Sequence, residues 1–130
     1  MAYRIVDMEE DPRSGQFAYF RAMADPWAGI TVEVDITEFH AALDGRPFFL
    51  SFLYALTRAA NAVPELRRRL LDGQVVEFDR CCPSYTAMKD SGVYVYCLVD
   101  SGLLPYEDFL ADGKRRQAEA LKGEGLAESG

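Results

Sequence analysis

Phe48-Phe49-Leu50-Ser51-Phe52-Leu53-Tyr54-Ala55-Leu56-Thr57-Arg58-Ala59-Ala60-Asn61-Ala62-Val63 places apolar residues on more than one helical face, interrupted by a single charge at Arg58. A helix that is apolar nearly all round is a buried central helix, so the remaining chain has to supply layers around it. Pro64 breaks the run, and residues 65–71 are expected to add one more turn. Upstream, Ile30, Val32, Val34 and Ile36 alternate with Thr31, Glu33 and Asp35, the cleanest period-2 pattern in the chain. It predicts a strand whose apolar side packs on the helix over 48–63. Between the two, Asp35 or Thr37 can cap a short helix carrying Phe39, Ala42 and Leu43, which Asp44-Gly45 ends.

Outward from this centre, residues 3–6 read as a short strand that runs into the acidic stretch 7–11. Pro12 precedes a segment with Phe17, Phe20, Arg21 and Ala24 at helical spacing, closed by Asp25-Pro26. Downstream, Asp72-Gly73 is a turn signal, and Val75-Val76-Glu77-Phe78 reads as a strand after it. Residues 83–88 and 93–99 are two more strands, joined by the turn Lys89-Asp90-Ser91-Gly92. Pro105 opens a last helix with Phe109, Leu110 and Leu121 as its apolar positions. The layout is mixed α and β in one domain over residues 1–121, with 122–130 expected to be a frayed tail.

Composition narrows the function. The 130 residues are 49% hydrophobic and 27% charged, ordinary for a soluble globular chain. Fourteen Lys and Arg against twenty-one Asp and Glu leave a net charge of −7. Such a surface repels phosphate backbones and anionic lipid, which argues against nucleic acid or membrane as partner. The basic run Arg67-Arg68-Arg69 is too short to reverse this. The longest uncharged apolar run, 47–57, is well short of the ~20 residues that span a bilayer. The acids at 7, 9 and 10 come too early for a signal peptide, so the expected location is the cytoplasm, with reduced thiols. Three cysteines, two of them adjacent at 81 and 82, make no disulfide framework, and a single histidine without Cys-x-x-Cys offers no zinc site.

Four stretches occur in a telling order: Arg13-Ser14-Gly15-Gln16-Phe17-Ala18-Tyr19-Phe20, Val34-Asp35-Ile36-Thr37, Asn61-Ala62-Val63-Pro64-Glu65-Leu66-Arg67 and Asp72-Gly73-Gln74-Val75-Val76-Glu77-Phe78-Asp79. Together with Pro83-Ser84-Tyr85-Thr86 and Tyr106-Glu107-Asp108-Phe109-Leu110, they resemble the chloramphenicol acetyltransferase family over residues 3 to about 120. Each motif alone is weak; six in register are specific. The resemblance implies an α/β two-layer sandwich, the N-terminal half of the CoA-dependent acyltransferase fold. It also implies O-acetyl transfer from acetyl-CoA to a small hydroxyl-bearing acceptor, no metal, and assembly as a homotrimer. In the family the sheet of this half is completed by strands of the other half, and the active site lies between subunits.

The chemistry needs a base to take the proton of the acceptor hydroxyl as its oxygen attacks the thioester carbonyl, and a donor to meet the oxyanion. In the family these come from a His-x-x-x-Asp-Gly motif and a serine in the C-terminal half, which this sequence does not contain. His40-Ala41-Ala42-Leu43-Asp44-Gly45 matches that motif letter for letter. It directly follows the stretch Val34-Asp35-Ile36-Thr37, where the family holds a short surface helix, and Asp44-Gly45 reads as a helix end. His40 is therefore expected to be a polar helix position and not the base.

By resemblance, Tyr19, Phe20, Ala24, Pro26 and Val95 stand at acceptor-pocket positions. Ala24 and Pro26 depart from the bulkier or sulfur-bearing residues usual there, and Phe20 lacks the usual hydroxyl, so chloramphenicol itself fits poorly as acceptor. The competing reading makes Phe17 and Phe20 the inner face of an amphipathic helix. Arg13 matches the arginine that pairs with the aspartate of the catalytic motif; without it, Arg13 turns outward or finds another acid, such as Asp11 or Asp35. Cys97 is expected to be a small buried hydrophobe, Cys81 and Cys82 lack an activating base, and Trp27 is expected in a partly buried loop.

Two functional readings follow. One is an acetyltransferase-family chain that is inactive alone, its C-terminal half supplied by a separate chain or lost; the other is a non-catalytic, oligomeric small-molecule-binding or interaction module on the same fold. A third possibility is that these residues are a piece of a longer protein. In either functional reading the uncharged β-prone run 93–99 or the helix around Phe20 is expected to mediate homo-oligomer formation, as trimer or dimer.

Overall fold

The structure, a computed structural model, describes residues 2–99 and 104–123. In chain order the elements are β1 (Tyr3–Ile5), α1 (Ser14–Arg21), α2 (Thr37–Ala41), α3 (Phe48–Asn61), a 3-10 turn (Pro64–Arg67), β2 (Arg68–Leu71), β3 (Gln74–Phe78), β4 (Ser84–Met88), β5 (Tyr94–Leu98) and α4 (Tyr106–Lys122). The strands form two antiparallel sheets, one of order β1-β3-β2 and one of the pair β4-β5. Helices α3 and α4 pack against each other, and α4 also covers β4 and β5.

The core sits where these three elements meet. Leu50 and Leu53 of α3, Phe109 and Leu110 of α4, and Val99 beyond β5 are all buried together, with Tyr54, Tyr85 and Tyr106 closing the rim. The i, i+3 spacing of Leu50 and Leu53 gives α3 one inward stripe. In β5 the alternation is strict: Val95 and Cys97 are buried and Tyr94, Tyr96 and Leu98 are exposed. The inward residues lie on the face that ends in Val99, toward the helices. Gly113 lets α4 come close to α3, since a Cβ there would lie 3.1 Å from a Leu50 methyl.

The central helix is covered on one side only. Leu50, Ser51, Leu53 and Thr57 are buried, but Phe48, Phe49, Phe52 and Leu56 stay substantially exposed. The expectation of a helix buried all round is thus corrected: its second apolar face is only partly covered, by the Phe39 ring on Phe48 and Phe52 and the Tyr85 ring on Phe49. The strand expected over 30–36 is corrected in the same way. These residues belong to no strand, and Ile30, Val32 and Val34 are 91%, 70% and 70% exposed rather than packed on α3. A period-2 pattern marks which side of a strand wants cover, not whether a neighbour is present.

Residues 68–71, expected to extend a helical turn, form β2 instead. Asp72 and Gly73, at φ +50° and +78°, make a two-residue hairpin turn that pairs Leu71 with Gln74 and Arg68 with Glu77. The other strands fall where the sequence put them within a residue or two. Asp44 and Gly45, at φ +49° and +80°, carry the chain out of the α2 turn, the helix end expected there. Trp27, expected to be partly buried, is 86% exposed. Of the expected frayed tail, Lys122 closes α4 and residues 124–130 lie outside the described residues.

Truncation of Phe109, which is 0% exposed, is the sharpest test of this core. Phe109→Ala is expected to cost about 3–5 kcal/mol, read from the urea midpoint. Trp27→Ala on the same scale is expected to move it by no more than about 0.5 kcal/mol.

Candidate functional site

Arg13 sits just before α1, and the acidic stretch that precedes it supplies its first partner. The Asp11 carboxylate accepts from the Arg13 backbone N–H at 2.8 Å and from its guanidinium at 3.4 Å, and the Glu65 carboxylate takes the far end of the guanidinium at 3.1 Å. Of the acids considered from sequence, Asp11 is engaged; Asp35 instead accepts from the Thr37 hydroxyl at 2.6 Å and the Thr37 N–H at 2.9 Å. Asp11 also holds Arg68 at 3.3 Å, and Arg68 passes on to Glu77 at 3.2 Å. Glu77 lies in the middle strand with Arg4 opposite on one side and Arg68 opposite on the other. Arg4 bonds it at 3.0 Å. The result is a chain of charge running Glu65–Arg13–Asp11–Arg68–Glu77–Arg4 along the three-stranded sheet.

Sequence reading missed Glu65, Arg68 and Glu77 as members. The signal was available: a two-residue Asp-Gly turn fixes which residues of its flanks face each other, and it sets Arg68 against Glu77. Recognising residues 68–71 as a strand was the missing step.

The carboxylates respond to these partners. The Arg13 backbone N–H, more than the guanidiniums of Arg13 and Arg68, holds the Asp11 carboxyl below its ordinary value. Glu65 is lowered by its own backbone N–H and then by Arg13. Partial burial opposes ionisation of Glu77, but Arg68 and Arg4 together outweigh it and lower its carboxyl as well. At β4 and β5, burial pushes the Tyr85 hydroxyl up to about 12, reinforced by the thiol of Cys97. Burial likewise raises Cys97, against a smaller opposing effect of Tyr85. A thiol so held is protonated and poorly nucleophilic, in keeping with a packing role.

The acceptor-pocket positions are distributed unevenly. Tyr19 and Phe20 project from α1 into solvent, their rings edge to face at 5.3 Å. The inner-face reading of α1 is corrected for Phe20, which is exposed, whereas Phe17 is half-buried and faces β1 and β3. Ala24 and Pro26 follow in the exposed loop. Val95 does not join them: it is buried on the helix side of β5. A cleft of about 450 Å³ opens between α1 and the edge of β1 and β3, but it is lined by Ile5, Val6, Met8, Phe17, Arg21 and Val75 among others, not by the acceptor positions. His40 is exposed on α2, its ring 6.4 Å from that of Phe48. Asp44 of the look-alike motif is not the partner of Arg13, which is held by Asp11 and Glu65. The geometry therefore separates His40-Ala41-Ala42-Leu43-Asp44-Gly45 from the arginine that a catalytic motif would engage.

The arginine run offers no ready cradle for the phosphates of a nucleotide-bearing thioester. Arg67 donates to the Phe78 carbonyl, Arg68 to Glu77 and Asp11, and Arg69 to the carbonyls of Leu66 and Arg68. Nearby, Asn61 at the end of α3 acts as a staple: its side-chain amide donates to the Cys81 carbonyl and accepts from the Cys81 N–H. Among the described residues no helix is long and apolar enough to cross a membrane.

These motifs and this fold have counterparts in known proteins. The chloramphenicol acetyltransferase family pattern matches residues 1–116, and the chain belongs to that family. Chloramphenicol acetyltransferases of Escherichia coli and Klebsiella sp are 32% identical over 90 residues, covering 68% of this chain and 41% of theirs. One from Proteus mirabilis is 29% identical over 83 residues. A solved chloramphenicol acetyltransferase overlays with a TM-score of 0.76 at 30% identity, over 95% of this chain and 59% of the other. The match covers about two fifths of the length of these curated relatives.

The charge chain predicts an acid limb in stability. Carboxyls lowered in the folded state contribute fully above their unfolded values, 3.8 for Asp11 and 4.5 for Glu65 and Glu77, and the contribution is lost as pH falls through the folded values. The denaturant midpoint is expected to fall below about pH 4.5. Glu77→Gln is expected to lower stability at pH 7 and to flatten that limb; an unchanged limb would show that the acids are not coupled to folding.

Proposed function

We propose that this chain forms one part of an acetyl-CoA-dependent O-acetyltransferase acting on a small hydroxyl-bearing molecule in the cytoplasm, and that its 130 residues alone do not turn over. Family membership carries the first half of this reading. The position of the sole histidine supports the second: His40 is exposed on α2, and its motif aspartate leaves Arg13 to other acids. Attack of a hydroxyl on a thioester needs a base that takes the proton as the C–O bond forms and the CoA thiolate departs. In this chain Tyr19 and Phe20 offer an aromatic surface to the acceptor, with Ala24 and Pro26 beside them in sequence. The base and the oxyanion donor come from the part of the fold that a separate C-terminal half would hold.

The test is direct. Chain incubated with acetyl-CoA and chloramphenicol is expected to release CoA thiol no faster than buffer, and His40→Ala is expected to change nothing. Turnover that His40→Ala abolishes would place the base on α2 and overturn the reading. Release restored by a polypeptide bearing the His-x-x-x-Asp-Gly motif supports a two-part enzyme; no release with such a partner favours the non-catalytic binding module.

Self-association belongs to the same proposal. One edge of β5 pairs with β4 and one face is covered by helices, while Tyr94, Tyr96 and Leu98 are left on the open face. Phe20 and Tyr19 are likewise uncovered. Apolar surface of this extent on a small chain marks an interface. Light scattering at tens of micromolar is expected to give a dimer or trimer, and Tyr96→Lys or Phe20→Lys to shift it toward monomer. A monomer at that concentration would sink this part of the proposal.

A further inference from the structure

One reactive pair lies outside the charge chain and the acceptor aromatics. Cys81 and Cys82 are consecutive in the link between β3, which ends at Phe78, and β4, which begins at Ser84. Both are half-buried and neither is in a disulfide. Residues 80–83 belong to no strand, so the alternation of a pleat does not send the two side chains to opposite faces. The pair is also held in place. The Asn61 side chain at the end of α3 takes both peptide groups of Cys81, donating to its carbonyl at 3.0 Å and accepting from its N–H at 2.9 Å. The third cysteine is unlike them: Cys97 is 1% exposed, and burial holds it as the protonated thiol.

We propose that Cys81 and Cys82 are a vicinal-dithiol site for a monosubstituted trivalent arsenical, R–As(OH)2, bound as a cyclic adduct with both sulfurs on arsenic. Two S–As bonds form as two As–O bonds break, and each thiol proton leaves with a hydroxide as water. Arsenic stays trivalent throughout, so no oxidant or reductant takes part. The chemistry of the pair selects this class. Thiolate sulfur is a soft ligand, which turns away hard cations such as magnesium and calcium. Zinc is completed by four donors, and among the described residues no group of three or more His, Cys, Asp or Glu is placed to hold a metal ion. An R–As centre is complete with two sulfurs. A disulfide between the two thiols is the competing fate. Consecutive Cα atoms lie about 3.8 Å apart, short of the about 4.4–6.8 Å that a relaxed disulfide spans. Arsenic inserted between the sulfurs widens the ring and relieves that constraint. Once the first S–As bond has formed, the second thiol is already beside it, which favours the chelate over a single thiol by about a hundredfold or more.

The probe is phenylarsine oxide, which water converts to the R–As(OH)2 form, added to the full chain under native conditions. Intact mass is expected to show one phenylarsenic group per chain, stable to excess monothiol and removed by a dimercaptan. Peptide mapping is expected to place it on the segment holding Cys81 and Cys82, with both thiols protected from iodoacetamide. Cys81→Ser and Cys82→Ser are each expected to weaken binding by about a hundredfold or more, and Cys97→Ala to leave it unchanged. Mapping on the unaltered chain decides the assignment whether or not a variant folds. No adduct, an adduct that monothiol removes, one mapped to Cys97, or equal binding by either serine variant overturns the proposal. So does a chain that, kept with reduced glutathione, has closed a Cys81–Cys82 disulfide and takes up no probe.

Discussion

The structure depends on the way α3 is covered. A helix apolar on every side cannot be satisfied by one neighbour, and here α4 and β5 cover one side while Phe48, Phe52 and Leu56 wait on the other. The covered side is well made. Leu50 meets Gly113 at close range, the Tyr54 ring packs on Phe109 at 5.3 Å, and the Ser51 and Tyr106 hydroxyls share a hydrogen bond of 2.5 Å. Each of these joins α3 to α4, two elements far apart in sequence. The polar Ser51 is tolerated at full burial because its hydroxyl has a partner.

The three-stranded sheet is held by a different principle. β1 is exposed along its whole length, and the buried apolar content of the sheet is little more than Val75 and Val76. The Asp72-Gly73 turn sets the β2–β3 register, and paired charge agrees with it on both sides of β3. Glu77 stands between Arg4 and Arg68 in the ladder, so slipping either outer strand by one residue would carry its arginine to the opposite face. Asp11 and Arg13 then lock the loop before α1 onto that ladder, and Glu65 ties in the turn after α3. An arginine that resembles the family's catalytic-motif partner therefore serves, within this chain, as a structural link between α1 and the sheet.

How much of this was legible in the sequence depended on where the relevant partner lay. The apolar run 48–63 announced α3, and the β-prone run 93–99 announced β5 with its buried Cys97; Val95, given to the acceptor pocket by resemblance, is buried there as well. The alternation in 30–36 announced a strand that has no ladder here, since a pattern records a demand for cover and not its supply. β2 was missed for the opposite reason. Arg67-Arg68-Arg69 reads as solvated charge until Asp72-Gly73 is taken as a hairpin turn, after which Glu77 becomes an obvious partner. At the site, the Arg13–Asp11 pairing was within reach because the two are close in sequence; Glu65 was not, because only the fold brings it there.

The corrections share one physical cause. The second face of α3, much of α1 and residues 30–36 carry apolar side chains that the sequence pattern directs inward. Scattered exposed apolar residues are normal on any protein, but these are arranged by element, each on the side its own periodicity assigns to a core. A chain merely poor in core would show no such order. Tyr19 and Phe20, the proposed acceptor aromatics, belong to one of these uncovered faces.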